Sequence, residues 1–225
     1  MPNKQQNGFF AKSLLGDVFS LFIGEDKFRP EMHKPFEING KVYATDGYTL
    51  VRTDKANIDF VIDNEHTAPN CEGIFPKVNT SLILNVTKEM LEPLKTADEY
   101  EFAGKDIECE TCEGIGQVEW EFKHYKRYFD CPVCEGNGLS EKTRVRKTGG
   151  KTFGNCLVNI KGAYLHIDKF YKLIKVRDIL GGEIELTSYS KPTSVVLFKV
   201  GVCEILLMPV MNVYASDWDG FLNIA

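Results

Sequence analysis

The chain has 225 residues, of which 43% are hydrophobic and 26% charged, with a formal net charge of −5. That length allows one large domain or two modest ones with real cores, and the composition excludes wholesale disorder. The acidic balance excludes a global attraction to nucleic acid but leaves room for a local basic patch.

The first apolar run, NGFFAKSLLGDVFSLFIG, is broken by Lys12 and Asp17, so it is too interrupted for a signal-peptide core and too short to cross a bilayer. Its apolar side chains recur at Phe10, Leu14, Val18 and Phe22, with Leu15, Phe19 and Ile23 alongside, and this stripe predicts a helix over 9–23. FEIN, KVYATD and YTLVRTD follow as three short strands, separated by Asn39-Gly40 and Asp46-Gly47. Both dipeptides accept the positive φ of a tight hairpin. Past a loop rich in Pro, Asn and Gly over 63–80, SLILNV reads as a strand, Thr87 as the cap of a helix through Leu94, and EYEFAGKDIE as another strand. Pro93 requires that helix to be short or kinked.

Further on, TRVRKT and CLVNIKG read as strands with Gly149-Gly150 turning between them. Asp168 is expected to cap a helix that buries Phe170, Leu173, Ile174, Ile179 and Leu180 and that Gly181-Gly182 ends. EIELTS, SVVLFKV and CEILLMPV supply three more strands. A helix followed by about three antiparallel strands thus recurs over 9–53 and 168–210, with a split version over 81–160. The fold class is α+β, with antiparallel sheets covered by helices.

Cys109, Cys112, Cys131 and Cys134 form C-x2-C-x18-C-x2-C, a zinc spacing. Two residues between thiolates let one knuckle present both sulfurs to a metal at about 2.3 Å. Four thiolates leave no open coordination position, so one structural Zn2+ is expected rather than a catalytic one. A redox C-x-x-C pair is the rival reading, and it would need neither the second knuckle nor its glycines. Gly114 and Gly136 are placed to take positive φ, and Gly116 and Gly138 to let the chain leave close to the cluster. Lys105, Lys123, Lys126, Arg127 and Lys142 surround the site in sequence and would offset the negative charge of the metal centre. Cys71, Cys156 and Cys203 stand alone and read as small buried hydrophobes. Paired C-x-x-C motifs without an export signal place the chain in a reducing cytoplasm.

The octets CETCEGIG and CPVCEGNG resemble the C-x-x-C-x-G-x-G motifs in the cysteine-rich region of the DnaJ chaperones, over about 30 residues. The resemblance implies a zinc-knuckle pair. That family carries four copies for two zincs, whereas two copies here serve one, and the J domain's His-Pro-Asp tripeptide is absent. Between the knuckles, VEWEFKHYKRYF alternates aromatic and charged residues. It reads either as a plain β-hairpin or as a nucleic-acid surface, with Trp120, Phe122, Tyr125 and Tyr128 stacking bases beside Lys123, Lys126 and Arg127. The run KTRVRKTGGK adds Lys142, Arg144, Arg146, Lys147 and Lys151 without an acid, either a solvated strand face or a stripe that tracks phosphates.

No phosphate-cradling G-x-x-x-x-G-K, HExxH or G-x-S-x-G is present, nor the deaminase pattern of H-x-E ahead of P-C-x-x-C. The chain therefore reads as a non-enzyme.

VYATDGYTLV over 42–51 resembles the A-T-D-G-H-R-L segment of bacterial sliding clamps, the β subunit of DNA polymerase III. Residues 163–211, from AYLHIDKFYKLIK through GGEIELTS and KPTSVVLF to ILLMPVM, resemble the final half-domain of a clamp, which ends in M-P-M-R. The resemblance implies clamp-like repeats, in parts 1–107 and 140–225, around a zinc-knuckle insertion over 108–139. It also implies a shallow groove for short apolar peptides of polymerases and repair proteins. By position, that groove involves Thr45, Gly47, Tyr48, Thr49 and Leu50, with Met208, Pro209, Val210 and Met211. Tyr48 and Thr49 stand where clamps have His and Arg, Val210 and Met211 where they have Met and Arg, and NVYASDWDGFLNIA continues where a clamp stops. The implied function is that of a non-enzymatic DNA-transaction accessory. Its implied partners are single- or double-stranded DNA, replication or repair proteins and further copies of the chain, without a membrane. The alternative is a zinc-dependent adaptor whose knuckles contact a polypeptide.

Overall fold

Ser13 is extended and its Oγ accepts the N–H of Gly16 at 3.2 Å, so helix α1 begins immediately after it and runs Leu14–Ser20. The computed structural model describes residues 13–24, 29–62, 69, 71–102, 104, 106–140, 145–211 and 213–224. The described helix is shorter than the stripe over 9–23 predicts; residues 9–12 lie outside the described residues, and the Ser13 cap sets its start. Strands β1 (Phe36–Ile38), β2 (Lys41–Thr45) and β3 (Thr49–Asp54) follow as expected, with Asn39 and Gly40 both at positive φ in the first turn. After β4 (Leu82–Leu84), helix α2 covers only Lys88–Leu91 before a 3-10 turn over Glu92–Leu94 that accommodates Pro93. Thr87 has the extended conformation of a cap, but its side chain makes no capping hydrogen bond.

By compactness the chain divides into Met1–Thr96 with Phe153–Ala225, and Ala97–Thr152. The latter unit contains β5 (Ala97–Phe102), β6 (Gln117–Phe122), β7 (Tyr125–Asp130) and β8 (Val145–Thr152). The first unit then resumes with β9 (Cys156–Ile160), β10 (Ala163–His166), α3 (Ile167–Leu180), β11 (Ile184–Ser188), β12 (Val196–Val200), β13 (Cys203–Leu207) and β14 (Gly220–Ile224). The residues over 108–139, expected as the insertion, are the part of Ala97–Thr152 that carries the cysteines.

In the first unit a seven-stranded antiparallel sheet runs β1-β2-β3-β13-β12-β11-β4. Two three-stranded meanders, each preceded in sequence by a helix, meet at their last strands. The split middle stretch does not form a third meander: it gives β4 to the sheet edge, β9 to a separate sheet ordered β10-β9-β14, and β5 and β8 to the other unit. Alternation decides the two faces. Val42, Ala44, Val51, Phe198 and Ile205 point into the core with Val18, Phe19 and Phe22 near α1 and Phe170, Leu173 and Ile174 of α3. Tyr43, Leu50, Leu197 and Leu206 point the other way and pack with Phe36 and Cys71. Cys71, Cys156 and Cys203 are buried thiols, as expected.

Helix α3 is capped by His166, not by Asp168. The His166 ring nitrogen accepts the N–H of Asp168 at 3.3 Å, leaving Asp168 as an acid in the first turn. Gly181, at φ 73, ends the helix as predicted. The tail forms β14, which pairs parallel with β9 from Gly220↔Cys156 to Ile224↔Ile160. No helix among the described residues is long and apolar enough to cross a membrane.

In the second unit β5 and β8 pair antiparallel, with a register shift between Asp98↔Lys151 and Tyr100↔Lys147. Gly149-Gly150 is therefore not a turn between strands. Gly149, at φ 85, forms a bulge inside one continuous strand.

Phe170 is fully buried and meets the ring of Phe198 edge-on at 6.4 Å. Phe170→Ala should lower the stability of the first unit by about 3–5 kcal/mol, read as a reduced urea midpoint at unchanged m-value.

Candidate functional site

The four cysteines come together. Their sulfurs all lie within 4.8 Å of one another and all four residues are buried. Cys109 Sγ is 3.8 Å from Cys131 Sγ, and Cys112 Sγ is 3.6 Å from Cys134 Sγ. A disulfide would need about 2.05 Å. A tetrahedron of thiolates about 2.3 Å from a central zinc has edges of about 3.8 Å, close to the separations of these two sulfur pairs. The donor set and its spacing fit zinc.

The knuckles are near copies in three dimensions. Glu113 and Gly114 take φ 52 and 80, and Glu135 and Gly136 take φ 50 and 84, wrapping the backbone under the sulfurs. Gly116 N–H donates to Cys112 Sγ at 3.2 Å, and Gly138 N–H to Cys134 Sγ at 3.3 Å. The close approach expected of the second glycines is reciprocal: a Cβ on Gly116 would sit 2.4 Å from the Gly136 carbonyl oxygen, and one on Gly138 2.3 Å from that of Gly114. These N–H donors lie on the sulfurs. Of the cations expected to offset their charge, Lys105 and Lys142 fall outside the described residues. Lys126 is held by Glu119 at 2.7 Å, and Lys123 lies 5.4 Å from the centre of the Phe122 ring.

The basic run is also partnered. Arg144 lies outside the described residues. Arg146 pairs with Glu101 at 2.6 Å, and Lys147 and Lys151 both pair with Asp98, all across to β5. The run contains no acid, but the strand beside it supplies three such contacts.

In the first unit the two clamp-like segments meet. β3 pairs with β13 so that Leu50 faces Leu206 and Thr49 faces Leu207, and Met208 N–H donates to the Tyr48 carbonyl at 3.1 Å. The chain then crosses to β10, where Val210 N–H donates to the Tyr164 carbonyl at 2.7 Å. Gly47, Tyr48, Met208 and Met211 are exposed and Pro209 and Val210 half-buried, whereas Thr45, Thr49 and Leu50 are buried. Leu50 belongs to the core behind the sheet.

Asp46 fixes this corner. Its Oδ1 accepts the N–H groups of Tyr48 and Thr49 at 2.9 and 2.7 Å, closing the turn. Its Oδ2 accepts from Lys172 at 2.7 Å and Lys169 at 3.2 Å, both on α3. Burial pushes the carboxyl up, but the hydrogen bond and charge of Lys172, with the two N–H groups, outweigh it and bring the pKa down to about 2. Burial holds Lys172 below its ordinary value although Asp46 pulls the other way. The sequence reading missed Lys169 and Lys172; their signal was the three-residue spacing that puts both on one face of a helix.

No protein-family model matches the chain, and no curated protein matches it by sequence. Solved structures do. The DNA polymerase sliding clamp of Pseudomonas aeruginosa is 12% identical with a TM-score of 0.48, over 88% of this chain and 63% of that one. The DNA polymerase III β subunit of Thermotoga maritima is 11% identical with a TM-score of 0.45, over 88% and 64%. The sliding clamp of Bacillus subtilis is 12% identical with a TM-score of 0.43, over 92% and 62%. The chain thus spans less than two thirds of each.

Zinc analysis of the purified chain should give one ion per molecule, lost on Cys112→Ser. Because the ligands must be deprotonated, the ion should be released as the pH falls. Gly116→Ala should also lose it, whereas Gly149→Ala, whose Cβ would meet nothing within 4 Å, should keep it at a cost of about 1–2 kcal/mol for the positive φ.

Asp46→Ala should destabilise the first unit by about 2–3 kcal/mol, and Asp46→Asn, which keeps the turn acceptor, by less. The folded pKa lies below the ordinary value of 3.8, so the charge contribution is present above about pH 4 and lost as the pH falls toward 2. The wild-type advantage over Asp46→Asn in urea should therefore shrink over that window.

Proposed function

We propose that this chain is a non-enzymatic accessory of DNA replication or repair, with a clamp-like body and one structural zinc. The observation that carries the proposal is the meeting of ATDGYTL and LLMPVM. These two segments are far apart in sequence and each resembles a clamp motif. They lie side by side through the β3–β13 ladder and the Met208–Tyr48 hydrogen bond. Tyr48, Met208, Pro209, Val210 and Met211 form the apolar rim on which a short peptide of a partner protein would lie. Thr45 and Thr49 shape the turn from inside: Thr45 Oγ donates to the Thr49 carbonyl at 2.7 Å. The tail is engaged with β9, and it leaves Tyr48, Met208 and Met211 exposed. On this reading further copies of the chain are among its partners.

The alternative, a zinc-dependent adaptor, places every partner contact on 108–139. Deleting those residues while the body stays folded separates the two, since the rim reading keeps peptide binding and the adaptor reading loses all of it.

A fluorescent peptide of alternating Leu and Phe should bind the full chain, and Tyr48→Ala and Met208→Ala should each weaken it about tenfold, as hot-spot truncations of about 1.4 kcal/mol do. Binding unmoved by both variants would remove the rim from the proposal.

A further inference from the structure

Strands β6 and β7 pair from Gln117↔Asp130 to Phe122↔Tyr125, and alternation sorts their side chains onto two unlike faces. Val118, Trp120, Phe122, Tyr125, Arg127 and Phe129 share one. Val118 packs against the cysteine cluster; beyond it Trp120, Phe122, Tyr125 and Phe129 are 66, 71, 76 and 51% exposed. The opposite face carries Glu119, Glu121 and Asp130. There Lys126 is neutralised by Glu119 at 2.7 Å and Glu121 at 3.8 Å, and the Tyr128 hydroxyl donates to Glu119 at 3.5 Å. All the carboxylates of the two strands are thus on one side. The aromatic side has Arg127 as its one charge, with Lys123 over the Phe122 ring at its tip.

We propose that this aromatic face binds single-stranded nucleic acid. Four rings, each more than half exposed on one side of a short ribbon, make the kind of contiguous apolar patch that marks an interaction site. The segregation of charge selects the partner: a face with cations and no acid suits a polyanion, and its rings suit a ligand with π-faces. Trp120 and Phe122, two residues apart, are separated by about 6.8 Å along the strand. That is twice the roughly 3.4 Å stacking repeat of a nucleic acid, so one base fits between two rings. A duplex keeps its bases stacked inside and offers them to no such platform, so single strands are the substrate. The structure revises the set that sequence alone suggests. Phe129 joins it, while Tyr128 and Lys126 leave it for the acidic face. This proposal uses the Ala97–Thr152 unit alone and does not depend on the peptide rim.

The test uses the full zinc-loaded chain with Trp218→Phe, which leaves Trp120 as the sole tryptophan of the two in the sequence. An oligothymidylate of roughly 16 nucleotides, at about 50 mM salt, should quench Trp120 emission. In anisotropy titrations on the otherwise wild-type chain, Phe122→Ala and Trp120→Ala should each raise Kd about tenfold, within the range found for a lost base–aromatic stack. Arg127→Gln should flatten the salt slope by about one. Phe122→Tyr, Tyr128→Ala and Tyr48→Ala should leave Kd within about twofold, the last of these separating this proposal from the peptide rim. Zinc content measured on each variant shows that the hairpin's base is intact. Absence of quenching, equal affinity for a duplex of the same length, or binding that Phe122→Ala does not weaken would each overturn the proposal. So would self-association of the chain abolished by Phe122→Ala, or capture of the Leu-Phe peptide by this face.

Discussion

The first unit depends on the ladder between β3 and β13. Without it the first unit would hold two separate three-stranded meanders, each with one helix and each with its last strand left as an open edge. Pairing their last strands makes one continuous sheet, and α1 and α3 then cover the same face of it. Register matters more than contact here. A slip of one residue would turn Val51 and Ile205 out of the helix-covered core and send Leu50 and Leu206 into it. The ladder is clamped from the side by Arg52, whose Nε donates to Glu204 at 2.7 Å directly across the pair while its guanidinium lies 3.5 Å from the centre of the Phe75 ring. That double engagement marks one register as correct, and the same register brings Tyr48 beside Met208.

Asp46 ties the end of this ladder to the helix layer. A tight turn alone would leave Tyr48 free to swing with the hairpin tip. Here the carboxylate is shared between two backbone donors of the turn and two lysines of α3, so the turn is fixed with respect to the helix above it. The cost is a partly buried ion pair, which adds little net stability over an apolar contact. What it provides is position, which the proposed peptide rim would require.

The second unit solves folding differently. Along β6 and β7 only Val118 is even partly buried, so almost no apolar area is taken out of water. A two-stranded hairpin of this kind is marginal by itself. The four sulfurs take the role of the core, which frees the aromatic residues of the hairpin from packing duty and leaves them on the surface.

How much of this was legible in the sequence depended on the range over which each signal acts. The cysteine spacing, the Asn39-Gly40 and Asp46-Gly47 turns and the alternation of β2, β3, β12 and β13 are local, and they read through directly. So did the Pro93 break, because a proline in a helix interior removes a hydrogen bond and clashes with the preceding turn, both of them local effects. The failures share the opposite property. Gly149 has the same positive φ in a bulge as in a turn, and only the presence of β5 alongside decides between them. His166 caps α3 because β10 delivers it extended at that point, where the bare sequence favoured the nearby aspartate. The run KTRVRKTGGK left two readings open, a solvated strand face and a phosphate-tracking stripe, because its partners Asp98 and Glu101 are nearly fifty residues away in the chain, and no window of sequence contains both strands. The hairpin between the knuckles is the instructive intermediate. Its two-faced character is fully present in the alternation of VEWEF and YKRYF, yet which rings share a face with which charges depends on the cross-strand register. Once Trp120 is set opposite Arg127, and Glu121 opposite Lys126, the local net charge near zero resolves into one acidic face and one aromatic, cationic one.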